Sequence, residues 1–390
     1  MKILKLTIEG LPNLKNRLDI DFVAQQRVDD DDKTQMFNVF SNIYINSTLS
    51  FIGINASGKT TILKLISFAI GLLNNESINS IPAKEFLNNL DCKREVIFTA
   101  YFYHNGVVYK LKTYIGKKIN SIDGNEKFII IDEILWSKSI HKIKTKKSIY
   151  DFCESEIEIK RNKNEQYLME DVSIIVALNK KQDTNFFLCD MSEVTDHNML
   201  NVLGQYPKEI LTFLDPSIET LSCEPAEKRV DIRLKFYGKD EITLNSPLEL
   251  NRYLSSGTIK GLSVFMGAVF SFLEGGYLIV DELENHFNRE IVSTLVRFFL
   301  DKKVNKKGAT LIFSTHYSEL LDEFKRNDSI YIIKNREGIA AEKLSNILKR
   351  NDIKKSEIYD SDYLEGTVPA YESYIALKKA LISLRYSEGF

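Results

Sequence analysis

FIGINASGKTT, residues 51–61, is the stretch whose reading decides the fold. Within it Gly53-Ile54-Asn55-Ala56-Ser57-Gly58-Lys59-Thr60 spells G-x-x-x-x-G-K-[ST], and each fixed position has a physical task. Gly53 and Gly58 let the backbone come close to an anion, so that N–H groups along Asn55, Ala56, Ser57, Gly58 and Thr61 surround a phosphate. Lys59 reaches the outer phosphate oxygens and Thr60 offers a hydroxyl to Mg²⁺. The flanks fit this reading. The apolar run from Ser47 to Ile54 predicts a strand feeding the turn, and TILKLISFAIGLL, residues 61–73, has helical spacing.

A phosphate loop of this kind needs a carboxylate at the end of a buried strand to hold magnesium, often with a second to activate water. Two stretches qualify, FIIIDE at 128–133 and YLIVDE at 277–282. The first sits inside an alternating run that reads as a sheet meander and leads into a lysine tract. The second is preceded by a Ser-Ser-Gly helix start and followed by another apolar strand ending Ser314-Thr315-His316. The second is therefore assigned: Asp281 on magnesium, Glu282 as general base, and His316 at a strand's carboxyl end, where ligands of open α/β sheets gather. LSSGT, residues 254–258, opens a helix with serine hydroxyls and free N–H groups, which suits a phosphate.

The order of phosphate loop, Ser-Ser-Gly helix, Asp-Glu strand and Ser-Thr-His strand resembles the ATP-binding-cassette ATPases, specifically the RecF/SMC-like heads and the OLD-type ATPases. DELENHFN, residues 281–288, is similar to the DEPEAHLHP type of that group, with Glu284 and His286 on matching positions and Asn288-Arg289 replacing its His-Pro. The resemblance implies an α/β P-loop NTPase, an ABC-type head with an antiparallel β subdomain and a helical insert or lid. It implies ATP and Mg²⁺ as cofactors. It also implies a homodimer or higher homo-oligomer joined by an ATP sandwich, with Ser255, Ser256 and Gly257 binding the γ-phosphate held by a second subunit. Such families commonly place a Gln on the magnesium after the first helix, yet Ile62 to Glu165 contains no Gln. Asn88, Asn89, Asp91 or a water stand as substitutes.

Within the group, IIIDEILW, LSSGTIKGL and the tail EIYDSDYLEGTVPAYES (357–373) look most like compact ATPases of bacterial abortive-infection, anti-phage systems. That likeness implies a separately encoded effector, a nuclease or toxin, and DNA or a phage protein as trigger. A fused nuclease is not expected, because Asp360-Ser361-Asp362 lies in a short acidic, tyrosine-rich tail and reads as a surface feature. The alternative is a RecF-like clamp gripping duplex DNA, for which the tract KSIHKIKTKK (138–147) is the only sequence hint. A transporter subunit is disfavoured by the missing Gln loop.

Composition agrees with a globular chain: of 390 residues 44% are hydrophobic and 27% charged, with a formal net charge of −2. Disorder is excluded, and nothing global announces nucleic acid or an anionic membrane. The four scattered cysteines, with no CxxC, support neither a zinc site nor a disulfide framework. MKILKLTIEGL alternates like a strand and lacks a signal peptide's apolar core, and no run approaches the roughly 18 apolar residues of a membrane span. A soluble, cytoplasmic protein is expected. RVDDDDK (27–33) reads as a solvated acidic turn. The expected organisation is an N-terminal head portion at 1–136, a helical insert at 137–225, a C-terminal head portion at 226–335 and a helical tail at 336–390.

Overall fold

The computed structural model describes residues 1–119, 126–162, 168–182, 184–192, 204–226, 229–364, 367 and 371–384. Two large sheets enclose the helix that follows the phosphate loop. In the first, antiparallel sheet the strand order is Leu18–Asp21, Lys2–Glu9, Val96–His104, Val107–Ile119, Glu126–Ser139, Ile157–Lys160. The sheet meander expected around FIIIDE is therefore present. Its first turn uses Asn105 (φ 45°) and Gly106 (φ 80°), the left-handed pair that an Asn-Gly hairpin requires.

In the second sheet the order is Leu188–Asp190, Tyr277–Val280, Thr310–Thr315, Thr48–Ile52, Ile330–Asn335, Ile339–Lys343. The first five run parallel and the last antiparallel. Thr48–Ile52 and Tyr277–Val280 are buried throughout, as continuous apolar strands of a parallel sheet are. Because they run parallel, Ile52, Val280 and Thr315 all end at one edge of the sheet.

The helix Lys59–Leu73 packs its apolar residues between the two sheets in one cluster that includes Leu4, Phe51, Ile66, Phe102 and Ile279. On the opposite face of the parallel sheet lie the helices Ser256–Glu274 and Arg289–Leu300. A third sheet, ordered Gly204–Gln205, Ile218–Ala226, Arg229–Phe236, Ile242–Leu244, covers the other side of Ser256–Glu274. Val264, Phe265 and Ala268 meet the parallel sheet's cluster, while Ile259, Leu262 and Met266 meet the third sheet. A helix covered on both sides is apolar nearly all round.

That packing corrects the expectation about apolar runs. Ser256–Glu274 has 19 residues and is long and apolar enough to cross a membrane by length and composition, but 67% of its most apolar window is buried inside the protein.

The expected helical insert is also corrected. Among its described residues only Ile175–Gln182 and Lys208–Leu214 are α-helices. Ile157–Lys160 instead extends the antiparallel sheet, Leu188–Asp190 forms the edge of the parallel sheet, and Gly204–Gln205 and Ile218–Ala226 belong to the third. Short apolar runs such as FFLCD carry no period long enough to separate helix from strand, and an open sheet edge decides for strand. The tail is not wholly helical either, since Ile339–Lys343 pairs with Ile330–Asn335 before the helices Lys355–Asp360 and Tyr371–Leu384.

Two charged stretches turn inward. Asp32, at the end of the acidic run, is buried against Arg326 at 2.5 Å, while Asp29, Asp30 and Asp31 stay exposed. From the lysine tract, Lys146 donates to the carbonyls of Ala24 (2.7 Å) and Gln26 (3.1 Å), and the ammonium of Lys138 meets the Asp151 carbonyl. Lys142, Lys144 and Lys147 remain exposed.

Candidate functional site

Three parallel strands deliver the site to one sheet edge. After Ile52 the chain enters the loop 53–58, where Ala56 takes φ 60° and Gly58 φ 100°, and Gly58 caps the helix beginning at Lys59. Glycine at 58 suits that left-handed turn. Ile54, Asn55 and Ala56 are exposed, whereas Ser57 and Lys59 are buried. Asn335 holds the loop from the neighbouring strand, donating to the Ala56 carbonyl at 3.1 Å. The Lys59 ammonium donates to the loop's own carbonyls, Gly53 at 2.9 Å and Ile54 at 3.2 Å. Burial lowers its pKa from the ordinary lysine value, opposed by the Asp281, Glu282 and Glu284 carboxylates.

The second strand ends at Asp281, whose carboxylate is buried and doubly engaged. Thr60 Oγ1 donates to Asp281 Oδ2 at 2.6 Å, and the Ser314 hydroxyl donates to Oδ1. The next residue, Glu282, has φ 45°, a left-handed backbone that costs a non-glycine residue about 1 to 3 kcal/mol. Its N–H donates to Ser314 Oγ at 2.8 Å, and the Asn285 amide donates to its Oε2. Glu284, 4% exposed, accepts from the His316 backbone N–H at 2.5 Å, and its Oε2 has no hydrogen-bond partner among the described residues.

His316, past the third strand, joins the two halves. Its Nδ1 lies 3.4 Å from Lys59 Nζ and its Nε2 3.4 Å from Glu282 Oε1. An ammonium only donates, so Nδ1 accepts, and a neutral imidazole with its proton on Nε2 satisfies both contacts.

The structure thus brings together Lys59, Thr60, Asp281, Glu282 and His316, which the sequence had assigned to one site. It does not hydrogen-bond Ser255, Ser256 or Gly257 to the loop 53–61 of the same chain. Ser255 caps the Ser256–Glu274 helix, accepting from the Thr258 N–H at 3.0 Å, and Ser256 Oγ lies 3.2 Å from His286 Nδ1. Gly257 packs against the 281–288 loop so closely that a Cβ would fall 2.3 Å from the His286 carbonyl oxygen. Ser255 is exposed at this helix start.

Asp132 and Glu133 lie elsewhere, in the antiparallel sheet. Glu133 is fully buried, accepts from Thr113 Oγ1, Ser173 Oγ and the Ile174 N–H at 2.6 to 2.7 Å, and is pushed up in pKa by that burial. Asn88, Asn89 and Asp91 are exposed, and the Asn88 carbonyl accepts from Lys117 at 3.3 Å. At the carboxyl end of the edge strand stand Asp190, which accepts from Ser67 of the loop helix, and Ser192, whose buried hydroxyl has no partner among the described residues. Asp360 accepts from Ser318 at 3.0 Å and Asp362 from the Thr367 N–H at 2.9 Å, so both aspartates tie down the tail.

Three residues that hold this site together were given no role from the sequence: Ser314 as the bridge between Asp281 and Glu282, Asn285 as the donor to Glu282, and Lys260 in the Ser-Ser-Gly helix. Only Lys260 left a signal, being a lone charge in an otherwise apolar run.

The residues fit a nucleoside triphosphate with magnesium. The Thr60 hydroxyl and Asp281 carboxylate are adjacent hard oxygen ligands, and Lys59 stands in the mouth of a loop rich in N–H groups. Among the described residues no cluster of three or more His, Cys, Asp or Glu side chains forms an all-protein metal cage. Magnesium with phosphate commonly needs only one or two carboxylates.

No protein-family model matches the chain, and no curated protein matches it. Among solved structures the chain is similar to the SMC head domain from Thermotoga maritima, with TM-score 0.41 and 12% identity over 88% of this chain and 99% of that one. An overlap that loose assigns no chemistry, which rests on the side-chain geometry above.

Proposed function

We propose that the protein is an ATP-binding and ATP-hydrolysing switch subunit of the ABC type. The observation that carries this reading is the convergence at one sheet edge of Lys59–Thr60, Asp281–Glu282 and His316, joined by the Thr60–Asp281 hydrogen bond of 2.6 Å. Mg·ATP, when bound, supplies the phosphoanhydride whose terminal phosphoryl group passes to water. Lys59 exchanges its loop carbonyls for phosphate oxygens, and Thr60 and Asp281 hold the cation. Glu282, oriented by Asn285 and His316, accepts the proton of the attacking water. His316 links Lys59, through Nδ1, to Glu282, through Nε2.

The Ser255–Gly257 helix start, exposed at Ser255 and half-buried at Ser256 and Gly257, completes the site of a second copy, so that ATP joins two subunits and hydrolysis releases them. A cytoplasmic switch of this kind gates a separate effector, a nuclease or toxin, in an anti-phage system. The exposed apolar side chains of Tyr371–Leu384, including Tyr374, Leu377 and Leu381, support contact with some other surface. The DNA-clamp alternative loses part of its footing, because Lys138 and Lys146 are spent on internal carbonyls.

The test is ATP hydrolysis by the purified chain beside Lys59→Ala and Glu282→Gln. Magnesium-dependent phosphate release lost in both variants supports the reading; release unaffected by either contradicts it.

A further inference from the structure

Lys260 lies about one turn past Ser256 in the helix Ser256–Glu274, and it is 5% exposed. Its ammonium does not point along the helix. It donates instead to two backbone carbonyls of the neighbouring loop, Glu282 at 3.0 Å and Asn285 at 3.1 Å, and lies 5.4 Å from the Phe287 ring centre. A buried ammonium carries a large desolvation cost, so its position is expected to be tightly held by these partners.

What it holds is one of the site's left-handed non-glycine residues. Glu282 is left-handed at φ 45° and is gripped on both sides by side chains from other elements, its N–H by Ser314 Oγ at 2.8 Å and its carbonyl by Lys260 at 3.0 Å. A strained residue persists where its surroundings over-determine it. Removing one grip lets φ relax, and the carboxylate then swings from His316 Nε2 and Asn285.

We infer that Lys260 is a positioning residue that fixes the carboxylate of Glu282 and couples it to the Ser-Ser-Gly end of its own helix. The inference rests on the proposed ATPase reading, in which Glu282 is the base. The same helix touches the same loop twice more, through Ser256 with His286 and through Gly257 beneath the His286 carbonyl. Helix and loop therefore move as one body. A second copy's nucleotide seated against Ser255–Gly257 of this chain is felt at this chain's Glu282, and each subunit's chemistry waits on its engagement with the other.

The experiment compares steady-state ATP hydrolysis and equilibrium ATP binding for the full chain, Lys260→Met, Lys260→Arg and Glu282→Gln. For Lys260→Met a fall in kcat of about 10²-fold, the scale of an ångström-sized misplacement, is expected with ATP affinity within about threefold of the parent. Lys260→Arg, which keeps a cation and its donors, is expected to recover most of that loss. Lys260→Met with the parent kcat, or an equal loss of affinity and kcat, overturns the inference while the ATPase reading stands. Glu282→Gln hydrolysing at the parent rate overturns both. Should Lys260→Met fail to fold, Lys260→Gln, with one amide for two carbonyls, carries the same comparison.

Discussion

Thr60 and Asp281 are 221 positions apart in the chain, and Thr60 Oγ1 donates to Asp281 Oδ2 at 2.6 Å. The contact exists because Thr48–Ile52 and Tyr277–Val280 run parallel with only Thr310–Thr315 between them. It sets two hard oxygen donors side by side at the foot of the loop, the arrangement the proposed magnesium site requires. Lys59→Ala, which removes the ammonium beside this pair, is expected to weaken Mg·ATP binding by about 10- to 100-fold, the range for a charge-assisted hydrogen bond. Isothermal titration of parent and variant measures this. Unchanged affinity contradicts the role given to Lys59.

Glu282→Gln keeps the shape of the side chain and the contact with Asn285 but cannot accept a proton. Binding should survive, while phosphate release slows by about 10²- to 10⁴-fold, the usual weight of a general base. Single-turnover release separates the two effects, and a variant that turns over as fast as the parent removes Glu282 from the role.

Much of this site was legible in the sequence, because each piece sits beside a run with a clear physical signature. The loop spacing named Lys59 and Thr60, and the buried strands YLIV and TLIFST carried Asp281, Glu282 and His316 to their carboxyl ends. FIIIDE was rightly set aside, since Glu133 faces the interior of an antiparallel sheet. The 137–225 insert was misread as helical because Ile157–Lys160, Leu188–Asp190 and Gly204–Gln205 are only two to four residues long, too short to show a period. Ser314 and Lys260 act through hydrogen bonds between separate elements, which residue spacing along one element does not encode, and the Asn285 bond to Glu282 depends on the turn of the 281–288 loop. The acidic run was half legible: three of its aspartates are solvated, and Asp32 is not, because Arg326 comes from the far end of the chain.

Lys2 gives a pH signature. Its ammonium donates to the carbonyls of Gly275, Lys307 and Gly308 at 2.5 to 2.6 Å, and burial pushes its pKa down to about 7. Between about pH 7 and the ordinary lysine value near 10.5, the unfolded chain keeps a proton that the folded chain releases. Stability from this group therefore rises with pH across that window, by at most about 1.4 kcal/mol per pH unit. Urea unfolding at pH 7.0 and 8.5 should show a smaller gain for Lys2→Met than for the parent, the contribution of the buried Cys189 and Cys223 thiols being common to both and cancelling in the comparison. Equal gains refute the assignment.

Arg326 tests the inward-turned charges. It meets Asp32 at 2.5 Å and holds both oxygens of Asp328, which is 0% exposed, at 2.7 and 3.0 Å. Arg326→Met leaves two buried carboxylates without their cation and is expected to cost about 3 to 5 kcal/mol. A loss of unfolding free energy, taken as the urea midpoint shift multiplied by m, below about 1 kcal/mol places the network among the dispensable surface pairs.

The central claim is that Ser255–Gly257 complete the nucleotide site of a second copy. Light scattering of Glu282→Gln, with Mg·ATP and without nucleotide, measures this directly. The account predicts a mass that at least doubles with Mg·ATP and returns to the monomer value when Ser255→Arg is added. A mass that ATP leaves unchanged, or that grows equally with Ser255→Arg present, contradicts it.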